Sequence, residues 1–98
     1  MNELAHDVAT ANLRLPKSLD LRSASHLHAE FMAARGRPLT VDASGVDLVG
    51  AQCVQILVSA QQTWARDGIA LTLSNPSQAF LDSLELLGVP PRKIGEWE

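Results

Sequence analysis

The sequence predicts an α/β domain, a small mixed or parallel sheet packed with about three to four helices. Three observations predict it. Short apolar runs suited to strands alternate with longer stretches striped at helical spacing, in the order strand, helix, strand, helix, strand, helix. Each helical stretch ends at a glycine, namely Gly36, Gly68 and Gly88. Strands separated by helices of this length usually pair parallel through right-handed crossovers. At 98 residues the chain holds one domain and one modest core.

Residues 1–9 carry little pattern and are expected to be a flexible N-terminus. Residues 10–90 form the expected domain, and residues 91–98 a C-terminal tail. Ala11 to Leu15 alternate apolar and polar, as in a half-buried strand, and Pro16 ends the run. Asp20 is a good N-cap for a helix from Leu21 to Arg35, stopped by Gly36 and Pro38. Ala24, Leu27, Phe31 and Ala34 share one face of it. Leu39 to Ala43 reads as the second strand, running into Ser44-Gly45. The second helix spans Ala51 to Asp67 and stops at Gly68. Ile69 to Leu73 alternates strictly. Asn75-Pro76 reads as a cap followed by a first turn, with Gln78 placed to bond back. That third helix runs to Leu87, and Pro90-Pro91 opens the tail.

Composition narrows the function. The chain is 46% hydrophobic and 19% charged, as globular domains are. Its net charge is −3 and it has no basic block, which argues against nucleic acid as a partner. Its apolar runs fall short of the roughly 20 residues that span a bilayer. The opening Met1-Asn2-Glu3 lacks the basic cluster of a signal peptide, so a cytoplasmic place is expected. One cysteine makes neither an internal disulfide nor a zinc site. No cofactor or metal is expected, and the free protein is expected to be a monomer.

The reactive side chains read as structural. His26 and His28 stand two apart on a helix, point roughly 200° apart, and cannot chelate together. They read as a surface and a core-edge histidine, and His6 lies in the N-terminus. Cys53 shares an apolar arc with Leu57, Ala60 and Trp64, so it reads as a buried, inert thiol rather than a nucleophile. Asp42 and Asp47 have no histidine near them in sequence. An acid at a strand end satisfies loop amides more often than it catalyses. Gly45 and Gly50 match no phosphate-binding fingerprint. Trp64 reads as core. Trp97 either folds back onto the domain or anchors a partner.

The second helix carries the informative pattern. At about 100° per residue, Cys53, Val54, Leu57, Ala60, Trp64 and Ala65 cover one arc. Gln52, Gln55, Ser59, Gln62 and Arg66 cover the opposite arc. Gln61 falls among the apolar positions without a physical reason. A merely solvated face usually carries Lys and Glu, which are costly to desolvate. Gln and Ser hydrogen-bond in both directions and desolvate more cheaply. The arc therefore suits a protein interface, with a Gln-rich solvated face as the alternative. The loop Asp47-Leu48-Val49-Gly50 leads into the helix N-terminus, where backbone amides are unpaired, and Leu48 or Val49 would supply an apolar anchor.

Val41-Asp42-Ala43-Ser44-Gly45-Val46 followed by Ala51-Gln52-Cys53-Val54-Gln55-Ile56-Leu57 resembles the central signature of STAS domains, the anti-sigma-factor antagonists and their relatives. The stretches Leu19 to Ala24 and Ser74 to Gly88 match the first and third helices of that family. The resemblance covers roughly residues 11 to 90 and implies a single STAS-like domain. The antagonists carry Asp-Ser-Ser-Gly at the helix junction, and a partner kinase phosphorylates the first serine. The matching positions here are Gly50, Ala51, Gln52 and Cys53. Ala51 has a methyl where that chemistry needs a hydroxyl, and Ser44 matches a different, commonly structural serine. The resemblance thus implies a docking surface without its phospho-switch.

Among family members lacking the serine, the stretch GAQCVQILVSAQQTWARDG, the chain length and the late Pro-Pro are most similar to the small stand-alone STAS proteins of alphaproteobacterial chemotaxis operons (CheS type). The implied partner is a chemotaxis histidine kinase, and the complex would help drain phosphate from a response regulator acting as a phosphate sink. The alternatives are a STAS subunit on the ATPase of an ABC lipid-transport complex and an anti-sigma-factor-antagonist-like regulator. A third class is a small enzyme or ligand-binding domain using residues 44–52.

Overall fold

Four strands build the main sheet: β1 (Ala11–Arg14), β3 (Leu39–Asp42), β5 (Leu71–Ser74) and β6 (Glu96–Trp97), side by side in that order and all parallel. The structure is a computed structural model and describes residues 10–97. The N-terminal segment expected to be flexible lies outside the described residues. Leu13, Val41 and Leu73 form one row across the sheet, and Asn12, Thr40 and Thr72 the next. The crossovers step along the sheet in a single direction. Right-handed connections then put the helices on one face. This is why parallel strands here alternate instead of reading as continuous apolar runs. Leu39, Val41, Leu71 and Leu73 are buried, whereas Thr40 and Thr72 are half-buried.

The first helical segment begins with the expected cap. Asp20 Oδ1 accepts hydrogen bonds from the backbone N–H of Arg22 at 3.0 Å and of Ser23 at 3.3 Å. The turn Leu21–Ser23 is tightened to a 3-10 helix, and α1 proper runs Ala24–Ala34. Helix α2 spans Ala51–Asp67, the bounds expected from its stripe. It ends in a Schellman motif: Gly68 sits at φ 72°, its N–H donates to Ala65, and the Ile69 N–H donates to Trp64 O at 3.0 Å. The rings of Phe31 and Trp64 meet edge to face at 6.1 Å between α1 and α2. Trp64 Nε1 also donates to Arg37 O at 2.7 Å, so the buried indole leaves no unmet donor. Ala65, expected on the apolar arc, is exposed.

Three expectations need correction. Helix α3 (Gln78–Leu86) is capped by Ser77, not by Asn75. Asn75 instead takes a left-handed turn at φ 49°, and Gln78 Nε2 reaches forward to Asp82 Oδ1 at 2.9 Å rather than back. The segment 44–50 is not simply a loop. Its Leu48–Val49 forms β4, which pairs parallel with β2 (Ser18–Leu19) in a separate two-stranded sheet. The stretch from residue 91 is not a free tail either. After a 3-10 turn at Pro91–Lys93, Ile94 is buried and β6 pairs with β5, Trp97 lying in register with Leu73. The backbone at Trp97 thus folds back onto the domain. Gly95 permits this pairing, since a Cβ there would meet Leu71 O at 2.9 Å.

Candidate functional site

The β4–α2 junction is held from below by backbone bonds. Gly50 N–H donates to Leu19 O and Asp47 N–H to Lys17 O, both at 2.8 Å. Val49 is buried at 5% exposure, while its neighbour Leu48 is 53% exposed. Period-two alternation along β4 makes this split. It removes Val49 from the outer surface and leaves Leu48 as the apolar group presented there. Lys17 Nζ and Asp47 Oδ2 stand 3.6 Å apart with both side chains largely exposed, so their pairing adds little stability.

Gly50 is the N-cap of α2 and makes no side-chain cap bond. The first amides of α2 therefore point outward without an intrahelical partner. Space is not the reason for glycine here, because a Cβ at residue 50 would meet Leu19 O at an ordinary 3.5 Å. Ala51 is exposed and offers only a methyl. The nearest hydroxyl upstream, on Ser44, belongs to a turn in which the Ser44 N–H donates to Asp42 Oδ1 at 2.9 Å. That bond, with a smaller part from the Ser44 hydroxyl, holds the Asp42 carboxyl below its usual range. Asp42 thus acts as a turn former, ionised and occupied.

From this junction the exposed stripe Gln52, Gln55, Ser59, Gln62 and Arg66 runs along α2. Asp47 and Leu48 are exposed and Gly50 is half-buried, immediately before the helix on which this stripe runs. Cys53, behind it, is fully buried and its Sγ donates to Asp20 O at 3.3 Å. Burial, then the nearby Asp20 charge, pushes the thiol pKa up, which keeps it protonated and unreactive. His26 approaches Glu30 at 3.8 Å on one side of α1. His28 lines a different depression on the other side, so the two do not converge. Among the described residues no group of three or more His, Cys, Asp or Glu is arranged to hold a metal ion. Nor is any helix among them long and apolar enough to cross a membrane. Gln61 keeps its Oε1 buried without a hydrogen-bond partner, and nothing in the structure explains it.

One part of this surface was missed from sequence. His28, expected at the core edge, is exposed. It lies with Leu21, Met32 and Ile56 along the seam between α1 and α2. The signal was available: Leu21, Ser25, His28 and Met32 are spaced four, three and four apart, as are Gln52, Ile56, Ser59 and Thr63.

The family model described as "Mlab, STAS domain" matches residues 2–90. No curated protein matches the chain in sequence. Among solved structures, a sulfate transporter family protein from Wolinella succinogenes superposes with a TM-score of 0.68 at 17% identity, over 81% of this chain and 66% of that one. An anti-sigma-factor antagonist (STAS) domain protein from Planctomyces limnophilus superposes with a TM-score of 0.65 at 16% identity, over 92% of this chain and 91% of that one. At such identities the likeness concerns the fold.

Proposed function

This chain belongs to the STAS domain family, and we propose that within it the protein is a non-enzymatic, non-phosphorylated binding partner of a chemotaxis histidine kinase. In this reading it docks through Asp47, Leu48, Gly50 and the stripe Gln52, Gln55, Ser59, Gln62 and Arg66. Val49 contributes backbone from β4 rather than a side chain. The complex assists dephosphorylation of a response regulator that serves as a phosphate sink. One observation carries the docking part. An exposed leucine, a helix N-terminus without a side-chain cap and a mostly neutral, cheaply desolvated stripe follow one another along the chain, next to an alanine where relatives of the antagonist type place a phosphorylated serine. The kinase as partner rests on the sequence resemblance.

The same surface would serve the alternative partners, the ATPase of a lipid-transport complex or an anti-sigma factor. Purified protein immobilised on beads and offered each candidate separately decides between them. Retention of the histidine kinase, and not of the ATPase or the anti-sigma factor, is the expected result. Retention of either of the others with no kinase overturns the kinase reading. The surface itself is tested by Leu48→Glu, which should weaken retention of whichever partner binds.

A further inference from the structure

Helices α1 and α2 follow parallel strands and therefore run parallel to each other. Two neighbouring depressions lie along their seam. The first is lined by Leu21, Ser25, His28, Gln52 and Ile56, and the second by His28, Met32, Ile56, Ser59 and Thr63. They share His28 and Ile56, so they form one groove. Leu21 is 72% exposed and Met32 is 41% exposed, and both border it. The α2 wall repeats at four, three and four residues (Gln52, Ile56, Ser59, Thr63), with Arg66 three residues further on; on the α1 side Ser25, His28 and Met32 keep the same spacing, with Leu21 on the 3-10 turn before the helix and Arg35 at its C-cap. This is the spacing at which a third helix seats its own side chains between two others. From Gln52 to Arg66 the α2 wall is about 21 Å long, or roughly four turns of a seated helix.

The charge along the groove is one-sided. No carboxylate lines either depression. At the far end stand Arg35, Arg66 and Asp67. Arg35 Nε bonds Asp67 Oδ2 at 3.1 Å, so two arginines and one aspartate leave one positive charge there. We infer that the α1–α2 groove receives a single amphipathic helix of a partner protein, apolar on its seated face and acidic at the end lying over Arg66. Acidic side chains are best placed in the first turn of a helix, which sets the partner helix antiparallel to α1 and α2. The inference rests on the docking reading for the identity of the partner, and adds the shape and charge of the partner's segment.

Two helical peptides of about 18 residues test it, each with leucines at the seated spacing and neutral flanks. One carries two glutamates in its first turn, the other two lysines. Binding is read by fluorescence anisotropy, and the contact by amide shifts in labelled protein. The glutamate peptide should bind in the micromolar range, with shifts at Leu21, His28, Met32 and Ile56. The lysine peptide, and the glutamate peptide on Met32→Glu protein, should each bind about tenfold more weakly or worse. Met32 is exposed enough that Met32→Glu should fold, which circular dichroism checks. Equal affinity for the two peptides overturns the inference. So does no binding up to about 1 mM, or indifference to Met32→Glu. Failure of the two readings looks different. Kinase retention that survives Met32→Glu, with neither peptide bound, sinks the groove and leaves the docking reading standing. Specific peptide binding with no kinase retained does the reverse.

Discussion

Helices α2 and α3 start at the same end of the sheet, and they start in opposite ways. The α3 N-terminus is closed by its own chain. Ser77 Oγ accepts the Phe80 N–H at 3.0 Å and donates to Val46 O at 2.6 Å, while the Ser77 N–H donates to Ala43 O at 3.1 Å. The α2 N-terminus, reached by the same loop, has glycine at its cap and no side chain bonded there. The α3 end fastens the loop, and the α2 end is presented by it. A helix capped by glycine rather than by Ser, Asp or Asn forgoes a few tenths of a kcal/mol, about 0.3, of local stability. Here the position carries exposed Leu48 beside it rather than a cap, as a surface meant for another molecule would.

The largest effect on stability should come from opening the closed end. Ser77→Ala removes the cap and strands the Val46 carbonyl, at a cost of about 2 kcal/mol in urea unfolding. A cost under about 0.5 kcal/mol would mean the two ends are not energetically different. Closing the open end should do less. Gly50→Ser has room for its side chain and should raise stability by a few tenths of a kcal/mol, about 0.3, while weakening partner binding. A loss of stability there would break the comparison, since it would mean the glycine is needed for the fold.

Acid should act on the loop between the two ends more weakly still. Asp42 has a lowered pKa in the folded state, owing first to the Ser44 N–H. A lowered carboxylate pKa contributes stability above the unfolded value near 4, and that contribution is lost as pH falls through the folded value. Asp42→Asn should therefore flatten the stability profile below about pH 4 and leave its shape at neutral pH alone. An unchanged acid limb would show that the Asx turn contributes nothing. The smallest expected effect is none at all. Incubation with serine kinases and ATP should add no phosphate by intact mass. Phosphate mapped to Ser44 would restore a switch at the open end.

The two ends also differ in how far the sequence disclosed them. Helix α2 was legible to the residue because a 17-residue stripe and a terminal glycine agree, and no tertiary contact is needed to set either bound. The α3 cap was misplaced by two residues. Asn75-Pro76 satisfies the local rule, but the Val46 carbonyl, 31 residues away, recruits Ser77. The β2–β4 pair was invisible for a related reason. Two-residue strands carry no period, and their pairing joins Ser18 to Leu48 across the whole of α1 and β3. That pairing is what turns Val49 inward, so of the two anchors the sequence offered, Leu48 and Val49, only Leu48 is exposed. The groove at Met32 was missed because the stripes of α1 and α2 were read separately, and it exists only where they meet. In the last residues, Pro-Pro reads locally as a tail, while the strand at Glu96–Trp97 depends on an edge that β5 leaves open.

The central claim is that the open α2 end and its stripe bind a protein. Isothermal titration of the histidine kinase with wild-type protein and with Gln55→Glu/Ser59→Lys tests it most directly. Both positions are exposed, so the melting behaviour should stay within about 0.5 kcal/mol of wild type. Charges forced into a desolvated contact should cost about 2 kcal/mol, a loss of affinity of roughly thirtyfold. Glu30→Lys, away from the stripe on α1, serves as the control and should leave binding unchanged. A double variant that is folded by circular dichroism and binds as tightly as wild type would contradict the claim.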